Sequence, residues 1–235
     1  MNNIFQRSEM VIGKNNIDLL SSKKVLVFGL GGVGGSLCEA LVRSGIGEIH
    51  IVDRDVVDIT NLNRQIIATL ETIGMAKTDA LEKRLLSINK NLVVKKYKLD
   101  LNKDSINDFN FEDFDYVADA IDTVSAKILL IENCYKKGVK IISAMGAGNK
   151  IDPTKLVIED IYKTHTCPLA KVMRKELKDR GVKNLKVVYS TESPIKPKFR
   201  LEKESSPGSM SFVPPVSGMI MASVIVRDLI NLGEV

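Results

Sequence analysis

Residues 29–35 restrict this chain more than any others: Gly-Leu-Gly-Gly-Val-Gly-Gly follows the apolar run 25–28 and opens a small-residue, helix-compatible stretch. A strand that turns through glycines straight into a helix points backbone N–H groups at one spot, where they can close on a phosphate. The second restricting stretch is 53–65, Asp-Arg-Asp-Val-Val-Asp-Ile-Thr-Asn-Leu-Asn-Arg-Gln. It starts with an acid at the end of the next apolar run, 49–52, and continues into a polar loop holding an amide and a guanidinium. Together they describe a nucleotide site that also carries cations for charged phosphates. That combination points to ATP chemistry more than to hydride transfer.

The surrounding pattern supplies the sheet such a turn requires. Strands at 24–28, 48–53, 92–99, 114–120 and 139–144 alternate with helices at 32–44, 76–89 and 124–137. This alternation predicts an α/β fold, a mostly parallel central sheet with helices on both faces and ligands at the carboxyl ends of the strands. After Gly148 the pattern changes to a strand at 156–161, a basic helix at 168–180 and a strand at 186–190, which extend the sheet. A Ser/Pro/Lys/Glu-rich stretch, 193–209, reads as a mobile loop. A short strand at 211–213 and a mostly buried helix at 218–231 complete the reading. No repeat or linker interrupts it, so 1–235 is expected to be one domain with a basic, substrate-facing segment at 163–209.

Gly29, Gly31 and Gly34 satisfy G-x-G-x-x-G, and Asp53 lies nineteen residues beyond Gly34. Alone, that is the dinucleotide fingerprint, and an NAD(P) oxidoreductase is its default reading. Asn61, Arg64, Gln65 and Lys77 shift the balance, because a dehydrogenase needs no cations there whereas a triphosphate does. Asp122 falls just past the 114–120 strand, at the edge where a Mg²⁺-bound phosphate would lie.

Charge is unevenly placed. Residues 163–203 hold twelve Lys/Arg against four acids, net +8, in a chain whose total is +5. A basic block inside an otherwise slightly acidic chain suggests a polyanionic partner. Cys38, Cys134 and Cys167 form no Cys-x-x-Cys pair, which excludes a four-cysteine zinc site and fits reduced thiols in the cytoplasm. The most apolar late stretch, 216–226, is too short to span a bilayer, so no membrane association is expected. His50 reads as a buried strand residue, and His165 stands before the basic helix.

The segments G-L-G-G-V-G, V-D-R-D, T-N-L-N-R-Q, G-M-A-K and D-A-I-D together resemble the ATP-dependent adenylating enzymes of the ubiquitin-activating (E1-like) superfamily. The resemblance implies a Rossmann-like, E1-type fold. Gly32 would approach the phosphates, Asp53 would take the ribose, Asn61, Arg64 and Lys77 would hold the triphosphate, and Asp122 would bind Mg²⁺. Gly31, Gly34, Asp55 and Gln65 complete the implied nucleotide set. Arg7, in F-Q-R-S-E-M-V-I-G, resembles the arginine that reaches into a partner subunit's ATP site, which implies a homodimer.

The second half narrows the resemblance. K-T-H-T-C-P-L-A (163–170), V-Y-S-T-E-S-P (188–194) and G-S-M-S-F-V-P-P-V-S-G (208–218) resemble the branch called tRNA threonylcarbamoyladenosine dehydratase. That branch implies ATP-dependent cyclisation of N6-threonylcarbamoyladenosine in tRNA through adenylation of its threonine carboxylate. The tRNA anticodon arm would be the partner, held by Lys163, His165, Lys171, Arg174, Lys175 and Arg200. Cys167 departs from the pattern, which more often has an acid there. It is either an incidental small hydrophobe or a reactive thiol, and the branch's link with a cysteine-desulfurase system keeps the second reading open. The alternative function is an adenylyltransferase for the C-terminus of a ubiquitin-like sulfur carrier; missing zinc pairs and the basic block argue against it.

Overall fold

In the computed structural model, which describes residues 3–199 and 207–232, seven strands form one sheet. They are β1 (Lys24–Phe28), β2 (Glu48–Val52), β3 (Val93–Tyr97), β4 (Tyr116–Asp119), β5 (Ile141–Ala144), β6 (Leu156–Asp160) and β7 (Lys186–Ser190). Their order is β3-β2-β1-β4-β5-β7-β6. Every pairing is parallel except β6 with β7, which is antiparallel and closes the far edge. The chain runs outward from β1 to β3 and then returns to β4 on the other side of β1. A crevice therefore opens at the carboxyl ends of β1 and β4, the place where such sheets bind ligands.

Helices α1 (Gln6–Ile12) and α2 (Lys14–Ser21) precede the sheet. The others are α3 (Gly32–Arg43), α4 (Lys77–Ile88), α5 (Val124–Lys136), α6 (Pro168–Asp179) and α7 (Val213–Leu229). Period-two alternation in β1 feeds both faces. Val25 and Val27 join the core under α3, α4 and α7; Leu26 and Phe28 join the core under α5 with Phe109 and Phe111. Because both faces are covered, β1 reads as an unbroken apolar run. A third core packs α6 through Ala170, Met173 and Leu177 against Val187 and Tyr189 of β7.

Two departures from expectation have physical causes. The last helix starts at Val213, not at 218, and no strand forms at 211–213. Pro214 and Pro215 occupy the first helical turn, where proline's missing N–H costs nothing and its fixed φ favours the helix. Gly218 then lies inside the helix because α7 packs tightly on α3: an added Cβ would stand 2.3 Å from the Val33 carbonyl oxygen. The second departure is the N-terminal pair, too polar to stand out as periodic. Only α2 buries side chains, Ile17 and Leu20, and α1 buries none. No described helix is long and apolar enough to cross a membrane.

Candidate nucleotide site at the carboxyl edge of the sheet

The glycine turn is assembled by backbone contacts that only glycine permits. Gly29 adopts φ +85°, and a side chain there would meet the Ala120 carbonyl oxygen at 2.6 Å. At Gly34 a Cβ would stand 1.8 Å from the Gly29 carbonyl oxygen, so the first turn of α3 lies directly on the end of β1. Gly31 differs. It caps α3, and the nearest atom to an added Cβ is Gln65 Nε2 at 3.9 Å. Its surroundings are open rather than packed, the room a phosphate needs at a helix N-terminus.

Around that opening the predicted residues gather from three loops. Asp53, at the end of β2, is held by the Leu30 N–H on Oδ2 at 2.6 Å and by the Asp55 N–H on Oδ1 at 2.8 Å. Burial raises its pKa above the ordinary aspartate value, and the nearby Lys77 charge opposes that only in part. Buried Lys77, at the start of α4, donates to Asp55 Oδ2 at 2.8 Å. The loop between them is pinned by an antiparallel bridge, Val56 to Ala76, with the Val57 N–H on the Met75 carbonyl at 2.8 Å.

Asn61 has a structural task as well. Its Oδ1 accepts from the Asp58 N–H at 3.1 Å, part of a reciprocal cap, and its carbonyl accepts from the N–H groups of Arg64 and Gln65. That turn sets Arg64 against Gly32, whose added Cβ would lie 3.3 Å from the Arg64 carbonyl. The Arg64 guanidinium donates only to the Thr60 carbonyl (2.9 Å) and Asn63 Oδ1 (3.0 Å), with no carboxylate partner among the described residues. Gln65 is buried, yet its Oε1 accepts no hydrogen bond among the described residues. The Gln65 atom nearest the open Gly31 cap is Nε2, a donor placed where a phosphate oxygen would accept.

The third loop leaves β4 at Asp119-Ala120-Ile121-Asp122. Asp122 is exposed and, among the described residues, takes only a 3.3 Å bond from the Thr123 hydroxyl. Beneath it lies a network that sequence reading missed. Asp119 and Lys127, both fully buried, pair at 2.8 Å. Ser143 Oγ donates to Asp119 Oδ2 at 2.5 Å, and Lys127 Nζ also donates to the carbonyls of Ile121 (3.1 Å) and Ala144 (2.8 Å). This cross-brace ties the β4 exit to β5 and so positions the loop bearing Asp122. Its signal was present: a lysine in the otherwise apolar start of α5.

The basic half divides on inspection. Lys163, Lys171 and Lys175 are exposed, and Lys163 stands 3.7 Å from Glu159. His165 is exposed too, its ring edge-on to Tyr189. Arg174 is half-buried: its guanidinium donates to the Thr164 carbonyl at 2.8 Å and to the Thr164 hydroxyl, bracing the loop before α6. Arg200 and residues 200–206 of the 193–209 loop lie outside the described residues. Cys167 caps α6 but is buried, its sulfur 3.5 Å from where a Gly146 side chain would begin. Cys38 and Cys134 are core residues whose thiols burial pushes well above the ordinary range. His50 is buried between Glu48 and Tyr97, and burial lowers its pKa. Arg7, exposed on α1, shares no hydrogen bond or ion pair with the nucleotide loops.

Comparison with known proteins agrees with this geometry. The model of the ThiF family matches residues 5–235. The chain is 43% identical to the tRNA threonylcarbamoyladenosine dehydratase of Bacillus subtilis (strain 168), covering 97% of this chain and 94% of that protein. The Escherichia coli (strain K12) protein of the same name is 36% identical over 82% of this chain and 75% of its own length. The crystal structure of E. coli tRNA N6-threonylcarbamoyladenosine dehydratase in complex with ATP superposes with a TM-score of 0.90 at 31% identity, covering 97% and 94% of the two chains. Glycine turn, cation-bearing loop and sheet topology thus meet in one assignment: the chain belongs to the ThiF family, among its tRNA threonylcarbamoyladenosine dehydratases.

Proposed function

We propose that this protein dehydrates N6-threonylcarbamoyladenosine in tRNA to its cyclic form, using ATP to activate the threonine carboxylate. The observation that carries this reading is the open Gly31 cap facing the Gln65 Nε2 donor, with Arg64 bonded to no carboxylate among the described residues. Such a cradle suits a triphosphate better than a neutral ligand.

The carboxylate is a poor electrophile, being anionic with oxide as its leaving group. Its oxygen attacks the α-phosphorus, the bond to the β-phosphate breaks, and pyrophosphate departs. The neighbouring ureido group then attacks the acyl carbon and loses a proton, and AMP leaves with the carboxylate oxygen. The nucleoside is left one water lighter. Both partners of the second step belong to one side chain, so proximity replaces an enzyme nucleophile. Three buried cysteines are compatible with that economy.

The protein's share is orientation and electrostatics. Asp53, fixed by two backbone N–H groups, accepts ribose hydroxyls, with Asp55 beside it holding Lys77. Gly31, Gly32 and Gly34 let the α3 N-terminus approach the phosphates, Gln65 and Asn61 supply amide contacts, and Arg64 and Lys77 offset charge growing at the α-phosphate. Among the described residues no three metal-binding side chains converge, so Mg²⁺ would be held by Asp122 together with nucleotide oxygens. There it would screen the phosphates and stabilise departing pyrophosphate. Arg7 rides on a helix whose apolar Met10 and Val11 are 75% and 83% exposed, a surface suited to a second copy of the chain in a homodimer. Lys163, Lys171 and Lys175, with His165, present the basic face to the anticodon arm, and the cytoplasm, where tRNA resides, is the compartment this implies.

The test is mass spectrometry of nucleosides from tRNA bearing threonylcarbamoyladenosine, incubated with protein and Mg-ATP. The expected result is loss of one water, dependent on ATP and slowed at least about 100-fold by Arg64→Ala, the scale of removing one transition-state contact. An unchanged nucleoside from protein shown to bind ATP would overturn the reading.

A further inference from the structure

Of the twelve aromatic residues in the chain, seven Phe and five Tyr, only Phe199 and Phe212 are exposed, at 77% and 38%. Single exposed apolar side chains need no explanation. These two share one segment, and its anchors are specific. The Ile195 N–H donates to the Asn149 carbonyl at 2.7 Å, in the loop after β5, and the Asn149 N–H donates to the Gly208 carbonyl at 2.7 Å. Asn63, inside the nucleotide loop and next to Arg64, donates through Nδ2 to the Ser209 carbonyl at 3.0 Å. Pro214, two residues beyond Phe212, lies 3.0 Å from where a Gly32 side chain would begin. Both ends of the segment are thus stitched to the carboxyl edge of the sheet. Within its described residues, 195–199 are all exposed and read Ile195-Lys196-Pro197-Lys198-Phe199, and neither lysine makes an ion pair among the described residues.

Exposed aromatic rings interleaved with unpaired cations are what single-stranded nucleic acid requires: rings for base faces, cations for phosphates. Two prolines stiffen the arm around 194–197, lowering the entropy lost on contact. We propose that Phe199 is a stacking platform for an unpaired base of the RNA loop, with Lys196 and Lys198 on adjacent phosphates and Phe212 as a second contact at the lip of the nucleotide cleft. This inference rests on the tRNA reading above and adds to it: the protein selects an open loop, with bases free to stack, over duplex RNA of equal charge. Phe199 acts by positioning the RNA and leaves the chemistry to the nucleotide loops.

The chain contains no tryptophan, so Phe199→Trp introduces a single emitter at the proposed contact. The probes are a synthetic anticodon stem-loop bearing threonylcarbamoyladenosine and a blunt RNA duplex of equal length. Tryptophan quenching by the stem-loop and not by the duplex is expected. Phe199→Ala should weaken stem-loop binding roughly tenfold, within the range of one lost base stack, while leaving ATP affinity unchanged. If wild-type protein binds the stem-loop, Phe199→Ala binds it equally well and the tryptophan emission does not move, the stacking proposal fails and the tRNA reading stands. If wild-type protein binds the duplex as tightly as the stem-loop, this proposal fails and the tRNA reading stands; if tRNA nucleosides are left unchanged by protein that binds ATP, the tRNA reading fails and takes this proposal with it.

Discussion

The two edges of the sheet contrast in how their polar groups are used. At the amino edge lies a cavity of about 700 Å³ lined by Tyr116, Lys140, Lys186, Arg227 and Asp228. Its polar groups are largely spent on one another. Tyr116 donates to Asp228 at 2.8 Å, and Lys186 pairs with the same carboxylate at 2.8 Å. Burial and the Asp228 charge push the tyrosine hydroxyl far above its ordinary range, so it stays a neutral donor. At the carboxyl edge, among the described residues, Gln65 Oε1 accepts no hydrogen bond, Arg64 has only local carbonyl and amide partners, and exposed Asp122 makes no ion pair. Unspent hydrogen-bonding capacity marks the edge that awaits a ligand.

The largest effect that would sharpen this contrast concerns the brace under the carboxyl edge. Lys127→Met should destabilise the protein by about 3–5 kcal/mol, because it leaves Asp119 as an uncompensated buried charge. Denaturant melts would show it, and a loss below about 1 kcal/mol would mean the pair is not a structural strut. Next comes a matched pair of glycines. Gly34→Ala should cost several kcal/mol through collision with the Gly29 carbonyl, on the scale of overpacking (about 1–3 kcal/mol) or beyond. Gly31→Ala should fold almost normally and lose ATP affinity, since its methyl group enters the open cradle. Equal stability of the two variants, read by thermal melts beside ATP titration, would break the distinction between packed and open glycines.

At the amino edge, Asp228→Asn should lower stability by about 1 kcal/mol through weakened contacts to Tyr116 and Lys186, with ATP affinity and turnover unchanged. Altered nucleotide binding there would show that the two edges are coupled. The smallest effect is a titration. NMR should find Asp53 titrating above its ordinary value, because burial outweighs Lys77, and Glu39 below its own. Burial pushes Glu39 up as well, but Arg84 and Arg43, both bonded to it, outweigh that. The linked signs are opposite. Glu39 contributes stability above the ordinary carboxylate range and loses it as pH falls through its lowered folded value. Asp53 withdraws stability as pH rises through its raised folded value. Asp53 titrating at or below Glu39 would overturn the view that the ligand edge is held at a cost.

Legibility in the sequence followed the range over which each cause acts. The alternation of strands and helices, the glycine turn and the loop of Asn61, Arg64 and Gln65 drew attention because each is local: apolar period, missing side chains, an amide and a guanidinium in one polar stretch. Asp119 and Lys127 escaped notice because their meaning lies in a contact across two elements, and charge alone looks like surface. The +8 block is less uniform than its count: Arg174 donates to Thr164, and Arg180 and Lys186 pair with Glu176 and Asp228, so part of that charge is locally paired. The helix expected from 218 starts at Val213, and the place of Pro214 and Pro215 in its first turn emerges only in the structure. Phe199 drew no attention as a letter in a polar stretch, since exposure is not written in a residue's identity.

The notch at Gly218 bears on the order in which the chain is made. The nucleotide cradle sits on α3, but α3 is backed by α7, which emerges about 180 residues later. Until that last helix leaves the ribosome, the glycine turn lacks the wall against which Gly32 and Val33 are set. Nascent chains should therefore be unable to hold ATP until α7 has emerged.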